Sequence, residues 1–160
     1  MKAFGAVLIV VVGVVVSVFA GAAKGTATYK AKSGVVTVAF QHAYLMKGPE
    51  PGGGNVIRRV VLSVADVSGA LKSCQSMMCA DGGIGEGMTV DFDAGPRLNY
   101  WFVANDQLIQ YSGTVVPTAA KLTTDTPTRI AGTLSIDATG AGGPNVQVEF
   151  DASLVKELKK

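Results

Sequence analysis

Beyond residue 25 the chain alternates apolar and polar positions with a period of two, in short runs separated by Gly, Pro, Asn and Asp. That pattern belongs to half-buried β-strands. Residues 26–32 alternate up to a Ser33-Gly34 turn, and a longer run follows over 35–46. Successive strand side chains point to opposite sides, so Val36, Val38, Phe40, His42, Tyr44 and Met46 are expected on one face. Residues 47–55, with Gly48-Pro49 and Pro51-Gly52-Gly53-Gly54, cannot hold a strand ladder and read as a loop. The sheet resumes over 56–64, where Arg58-Arg59 puts one guanidinium on each face. At least one of them should lie near an edge or reach solvent along its stem.

Further strands are expected over 88–93 and 98–115. In the second, Asn105-Asp106 tolerates the positive φ of a two-residue hairpin turn. Such a turn places Tyr100 opposite Tyr111 and Phe102 opposite Ile109, with Trp101, Val103, Leu108 and Gln110 on the other side. Residues 117–128 form a Thr-rich connection of weak strand character. Residues 129–137 and 145–154 alternate cleanly, and the latter point Val146, Val148, Phe150, Ala152 and Leu154 inward.

One short helix is expected. Asp66 can cap it, and Val67, Ala70, Leu71, Cys74 and Met78 fall at the spacing of one helical face. Gly69 weakens it, and it ends before the Gly-rich residues 81–87. The fold class is mainly β: an antiparallel β-sandwich or small barrel of about seven or eight strands with one short helix.

The N-terminus changes which residues belong to that domain. Met1-Lys2 precedes an uncharged apolar run over 4–19, and Ala20-Gly21-Ala22 supplies small residues at the spacing signal peptidase reads. The expectation is a signal peptide over 1–22 and a single β domain over 23–160, with cuts after Ala20 or Ala23 also satisfying the small-residue requirement. The alternative is an uncleaved anchor, since a run of about 16 residues falls between a signal core and a full span. Neither a lipid-anchor cysteine nor a twin-arginine pair accompanies the run. The domain is therefore placed outside the cytoplasm, periplasmic or extracellular, without stable membrane insertion once the leader is gone. The formal charge is +2, and it falls further when Lys2 leaves with the leader. So even a balance gives no electrostatic case for nucleic acid. The basic end, residues 156–160, reads as a solvated tail.

Candidate chemistry is sparse. Cys74 and Cys79 in an oxidising compartment are most simply a local disulfide. Inside one continuous helix they would be about 7.5 Å apart along the axis, beyond the bridging limit of about 7 Å, so the helix must end between them. The sharper alternative is a soft-metal site for Cu(I) built from Cys74, Met77, Met78 and Cys79, with His42 as an added imidazole. Adjacent Met77 and Met78 otherwise mean one packed and one exposed thioether. The acidic, Gly-rich stretch around Asp81, Glu86, Asp91 and Asp93 has neither EF-hand nor nonapeptide calcium spacing. Its glycines also fail the dinucleotide and phosphate-loop patterns. His42 is the only histidine, and its strand neighbours argue for a structural side chain. Asp91 and Asp93 are the remaining carboxylate pair a hydrolase could use. No catalytic residue and no cofactor is assigned.

Arg129-Ile130-Ala131-Gly132-Thr133-Leu134-Ser135-Ile136, taken with Gly142-Gly143-Pro144-Asn145-Val146-Gln147-Val148-Glu149-Phe150-Asp151, resembles the closing hairpin of small exported bacterial β proteins of uncharacterised function. Gln41-His42-Ala43-Tyr44-Leu45 followed by Arg59-Val60-Val61-Leu62-Ser63 resembles their opening strands. The resemblance implies an exported β-sandwich and carries no catalytic residues.

Three function classes follow: a non-catalytic binding or structural module of the cell envelope, a carrier of a small apolar ligand inside a barrel, and a copper-handling protein. The first leads. Its candidate face is Asn99, Trp101, Val103, Leu108 and Gln110, because a strand turned to water is polar on that side and this one is not. The cover is either the chain itself, through the short helix or residues 117–128, or a partner, an envelope protein or glycan.

Overall fold

A computed structural model describes residues 21–159; the expected signal core over 4–19 and the last tail residue, Lys160, lie outside the described residues. The strands are β1 (Ala22–Ala31), β2 (Gly34–Pro49), β3 (Val56–Ser63), β4 (Gly87–Phe92), β5 (Leu98–Ala104), β6 (Ile109–Val115), β7 (Ala120–Thr126), β8 (Arg129–Asp137) and β9 (Asn145–Glu157). In space they run β6-β5-β4-β3-β2-β1-β9-β8-β7 as one curled half-barrel sheet. Neighbours in that order are antiparallel. The exception is an added parallel pairing of β2 with β9, from Tyr44 opposite Ser153 to Lys47 opposite Glu157.

The protein is mainly β, as the alternation implies, with more strands than expected. Residues 117–128, read as a connection, hold β7 after a single 3-10 turn over Pro117–Ala119. Strand β2 continues through Gly48 to Pro49, so the loop is shorter than 47–55. The expected single helix is two short ones, α1 (Ser68–Ser73) and α2 (Cys79–Gly83).

The concave side of the curl is filled by Val38, Phe40, Leu45, Val60, Leu62, Met88, Val90, Tyr100, Phe102, Val146, Val148 and Phe150 among others. Tyr29 of β1 stacks on Phe102 of β5 across this interior, their ring centroids 6.1 Å apart. The convex side carries a second apolar layer in which Tyr44, Met46, Ile57, Val61 and Val103 meet Leu71, Cys74, Met77, Ala80 and Ile84 from the helical excursion. The middle of the sheet is thus buried on both faces, which a pattern of strict alternation does not describe.

Strand β2 shows the consequence. Val38 and Phe40 point inward, as do Ala43 and Leu45, whereas Tyr44 and Met46 point outward. The side-chain alternation slips by one between Phe40 and Ala43, beside a register irregularity between Ala22 and Gly25 on β1. The expected single face from Val36 to Met46 therefore splits in two, as a bulge does to a strand. Gly25 serves this slip with φ of +151°, and a Cβ there would lie 2.1 Å from the Gln147 carbonyl oxygen. Only glycine fits.

Arg58 and Arg59 do face opposite ways. Arg58 lies at the mouth of the curl, where its guanidinium holds Asp93 at 2.6 and 3.0 Å and also reaches Asp125 and the Thr126 carbonyl of β7. These bonds join strands that are distant in sheet order, so they latch the half-barrel at that end. Asp93 and Asp125 together hold the Arg58 charge more firmly than usual, against the opposing effect of its partial burial.

Candidate binding face and its support

The β5–β6 hairpin carries the candidate face, and its turn differs from the expected two-residue form. Ala104 pairs with Ile109, leaving a four-residue tip, 105–108. Asn105, Asp106 and Gln107 all have positive φ, near +53°, +53° and +67°. Three consecutive left-handed residues are costly, and tethers from elsewhere offset them. Glu86 accepts the Asn105 N–H at 3.0 Å, and the Gln107 amide donates to the carbonyls of Ile84 at 2.8 Å and Gly82 at 3.2 Å. The longer tip shifts the register by two residues, so Phe102 faces Tyr111 and Tyr100 faces Gly113. Tyr100 and Tyr111 remain neighbours on the inner side, with ring centroids 6.2 Å apart.

On the outer side the five candidate residues separate. Val103 is fully buried beneath the helical excursion, in the layer that contains Ile84. Leu108 leaves the face altogether and sits in the hairpin tip, 81% exposed. Asn99 and Gln110 are exposed and Trp101 is half-buried against the outer apolar layer. Ser112, directly opposite Trp101, joins them as an exposed neighbour. The face is therefore Trp101 framed by Asn99, Gln110 and Ser112, on a hairpin whose β6 strand is a sheet edge. Part of the expected chain cover exists, and it comes from the helical excursion.

That excursion is fixed by a network the sequence pattern did not isolate. Arg59, 6% exposed, donates to both Asp91 carboxylate oxygens at 2.6 and 2.8 Å, to the Met77 carbonyl at 2.7 Å and to Asp81 at 3.0 Å. Burial works against its charge, but Asp91 and Asp81 outweigh it and the guanidinium is held charged more firmly than usual. Asp81 responds in the opposite sense. Burial pushes its carboxyl up, and the nearby Asp91 charge adds to that, while Arg59 pulls it down. One arginine thus ties β3, β4 and α2 together.

Cys74 and Cys79 are disulfide-bonded, with 5.5 Å between their Cα atoms. As the spacing requires, α1 ends before the first and α2 begins at the second. Met77 is packed and Met78 is 62% exposed. Met77 therefore takes the inward place expected of Met78, because the break between the helices resets the helical phase. In this state both cysteine sulfurs are bonded to each other and offer no thiolate to a metal, and Met77 lies against Gly48. Among the described residues no three His, Cys, Asp or Glu side chains gather as a metal site.

His42 stacks on Tyr44, ring centroids 6.2 Å apart, and the Tyr44 hydroxyl donates to Asp66 at 2.7 Å. Asp66 also accepts the Ser68 N–H at 2.8 Å in a local turn, but the cap position of α1 is Val67, without a side-chain cap, so Asp66 stands one residue before the place expected of it. The bond from Tyr44, helped by Ser68, brings the Asp66 carboxyl down to about 2. Burial, and then Asp66, push the Tyr44 phenol well above its ordinary value. Tyr44 is thus a neutral donor holding the chain between β3 and α1. Asp91 and Asp93 do not act together: the first serves Arg59 on the convex side, the second Arg58 at the mouth.

For the carrier reading the relevant place is the concave interior, and Phe40, Tyr100, Phe102 and Phe150 occupy it. Two open surface grooves of about 700 and 440 Å3 run along β1, β8 and β9, where Lys24, Thr133 and Glu149 line both. No helix among the described residues is long and apolar enough to cross a membrane. Compared with known protein families, curated proteins and solved structures, the chain has no significant match in any of the three.

Proposed function

We propose that this chain is an exported bacterial envelope protein, periplasmic or extracellular. It acts without catalysis, as a binding or structural module that contacts an envelope protein or a glycan through the outer side of the β5–β6 hairpin. One observation carries the reading: the sole tryptophan keeps part of its indole at the surface, framed by exposed Asn99, Gln110 and Ser112 at a sheet edge. An indole flanked by amides and a hydroxyl offers a flat apolar anchor with hydrogen-bonding groups beside it. The surroundings suit a scaffold. Val103 anchors β5 in the outer apolar layer, the Arg59 network holds the neighbouring β4 to the helical excursion, and the Gln107 tether fixes the tip. The scaffold is a single curled half-barrel sheet whose central strands are covered on both faces.

The reading predicts that the purified domain is retained by isolated bacterial envelope, cell-wall glycan and membrane proteins together. Replacing the anchor and one framing amide, Trp101→Ala with Asn99→Ala, should reduce retention at least about tenfold, since truncating an aromatic anchor commonly costs about 2 kcal/mol or more, roughly a thirtyfold loss. Asn99 is exposed and Trp101 only partly buried, and far-ultraviolet circular dichroism of the variant checks that the fold survives. Retention unchanged by the double variant would remove this face from the function, and no retention of the wild-type domain would remove the binding reading.

A further inference from the structure

Strand β1 is a wedge. At Ala22 it still separates two strands, pairing with His42 of β2 on one side and Asp151 of β9 on the other. Immediately beyond it those strands close on each other and pair in parallel, beginning with Tyr44 opposite Ser153. Gly21 sits at the point of closure. Its carbonyl accepts the Ala43 N–H at 3.1 Å, and Ala43 is fully buried. A Cβ on residue 21 would lie 2.1 Å from the Ala43 carbonyl oxygen and 2.3 Å from that of Asp151. Both obstacles are backbone atoms of paired strands, which cannot yield as a side-chain end can. The position therefore demands glycine, and the sequence supplies it.

We infer that the mature protein begins at Gly21, the export peptidase cutting after Ala20 rather than after Ala22. The inference rests on the proposed export. The peptidase acts on an unfolded chain, so the fold does not choose the bond. What the fold shows is which residues it uses. A cut after Ala22 would remove the partner of the buried Ala43 N–H, leaving a donor with none. It would also strip the ladder of Ala22 and open the tip between β2 and β9. A cut after Ala20 keeps all of this, and Val18 and Ala20 still provide small residues three and one positions before the bond.

The full chain should be exported from a bacterial host and the processed product read by intact mass and N-terminal sequencing. The expected product lacks residues 1–20 and starts Gly-Ala-Ala-Lys. A product starting at Ala23 or Lys24 would overturn the inference while leaving export intact. An unprocessed chain in the membrane fraction would instead overturn the cleaved-export reading on which it rests. Gly21→Val supplies a second readout. If residue 21 belongs to the mature domain, the processed variant is heavier than the wild type by the mass of the added side chain and melts at a lower temperature. If the residue leaves with the leader, the two mature proteins are identical in mass and melting, and the inference fails.

Discussion

Arg59→Ala should destabilise the domain by about 3–5 kcal/mol, the usual result of removing one partner from a buried ion pair. The arginine side chain is 7% exposed and that of Asp91 13%, so water cannot readily replace the guanidinium. Its loss leaves Asp91 close to Asp81 with no counter-charge and takes the donor from the Met77 carbonyl. The helical excursion would then lose its polar attachment to β3 and β4. Urea unfolding of the variant measures the deficit. It should narrow as the pH is lowered, because the Asp81 carboxyl, pushed up by burial and then without its arginine, takes up a proton in the folded variant and sheds the uncompensated charge. Replacing Arg59 and Asp91 together by leucine should recover much of the loss, since an apolar pair of similar volume leaves less charge to bury. A deficit below about 1 kcal/mol for Arg59→Ala would place the network with exposed ion pairs and separate it from the fold's stability.

Phe102→Ala should cost a comparable amount, about 3–5 kcal/mol, through a different mechanism. The ring is fully buried and packs on Tyr29 from the opposite wall of the curl, so truncation leaves a void that neither wall can close alone. The melting temperature should fall by on the order of 10 °C, while Phe102→Leu should lose markedly less. If the alanine variant melted like the wild type, the two walls would not depend on their contact across the interior. The half-barrel would then be held by its ladders and by the Arg58 latch.

The two predictions concern residues of unequal visibility in the sequence. Phe102 could be read as inward because β5 alternates, and β8 and β9 were legible for the same reason: each has one buried face. Strand β2 was misread where burial becomes two-sided. Ala43, Tyr44, Leu45 and Met46 are all fully buried, and this unbroken apolar run was the available signal that the sheet is covered on both faces there. The hairpin tip escaped because its cost is offset by distant groups, Glu86 and the Ile84 carbonyl, which no local turn rule contains. Arg59 was placed on its own face, but its partners Asp91, Asp81 and Met77 meet only in three dimensions. The parallel meeting of β2 and β9 is likewise a product of topology, made where β1 runs out. Of the candidate face, Asn99, Trp101 and Gln110 stayed at or near the surface. Val103 was lost to the helical cover and Leu108 to the longer tip.

The central claim is that Trp101, partly buried on the chain's own apolar layer, uses its remaining exposure for the proposed contact with the envelope. Because it is the only tryptophan, iodide quenching of the protein's indole fluorescence reports on this residue alone. The account predicts emission to the blue of free indole, with partial quenching by iodide in the free domain. It further predicts that, with 5-hydroxytryptophan built in at position 101 so that this residue is excited apart from the tryptophans of envelope proteins, quenching falls when isolated envelope is added. An indole wholly shielded from iodide in the free domain would contradict it, as would quenching that envelope binding leaves unchanged.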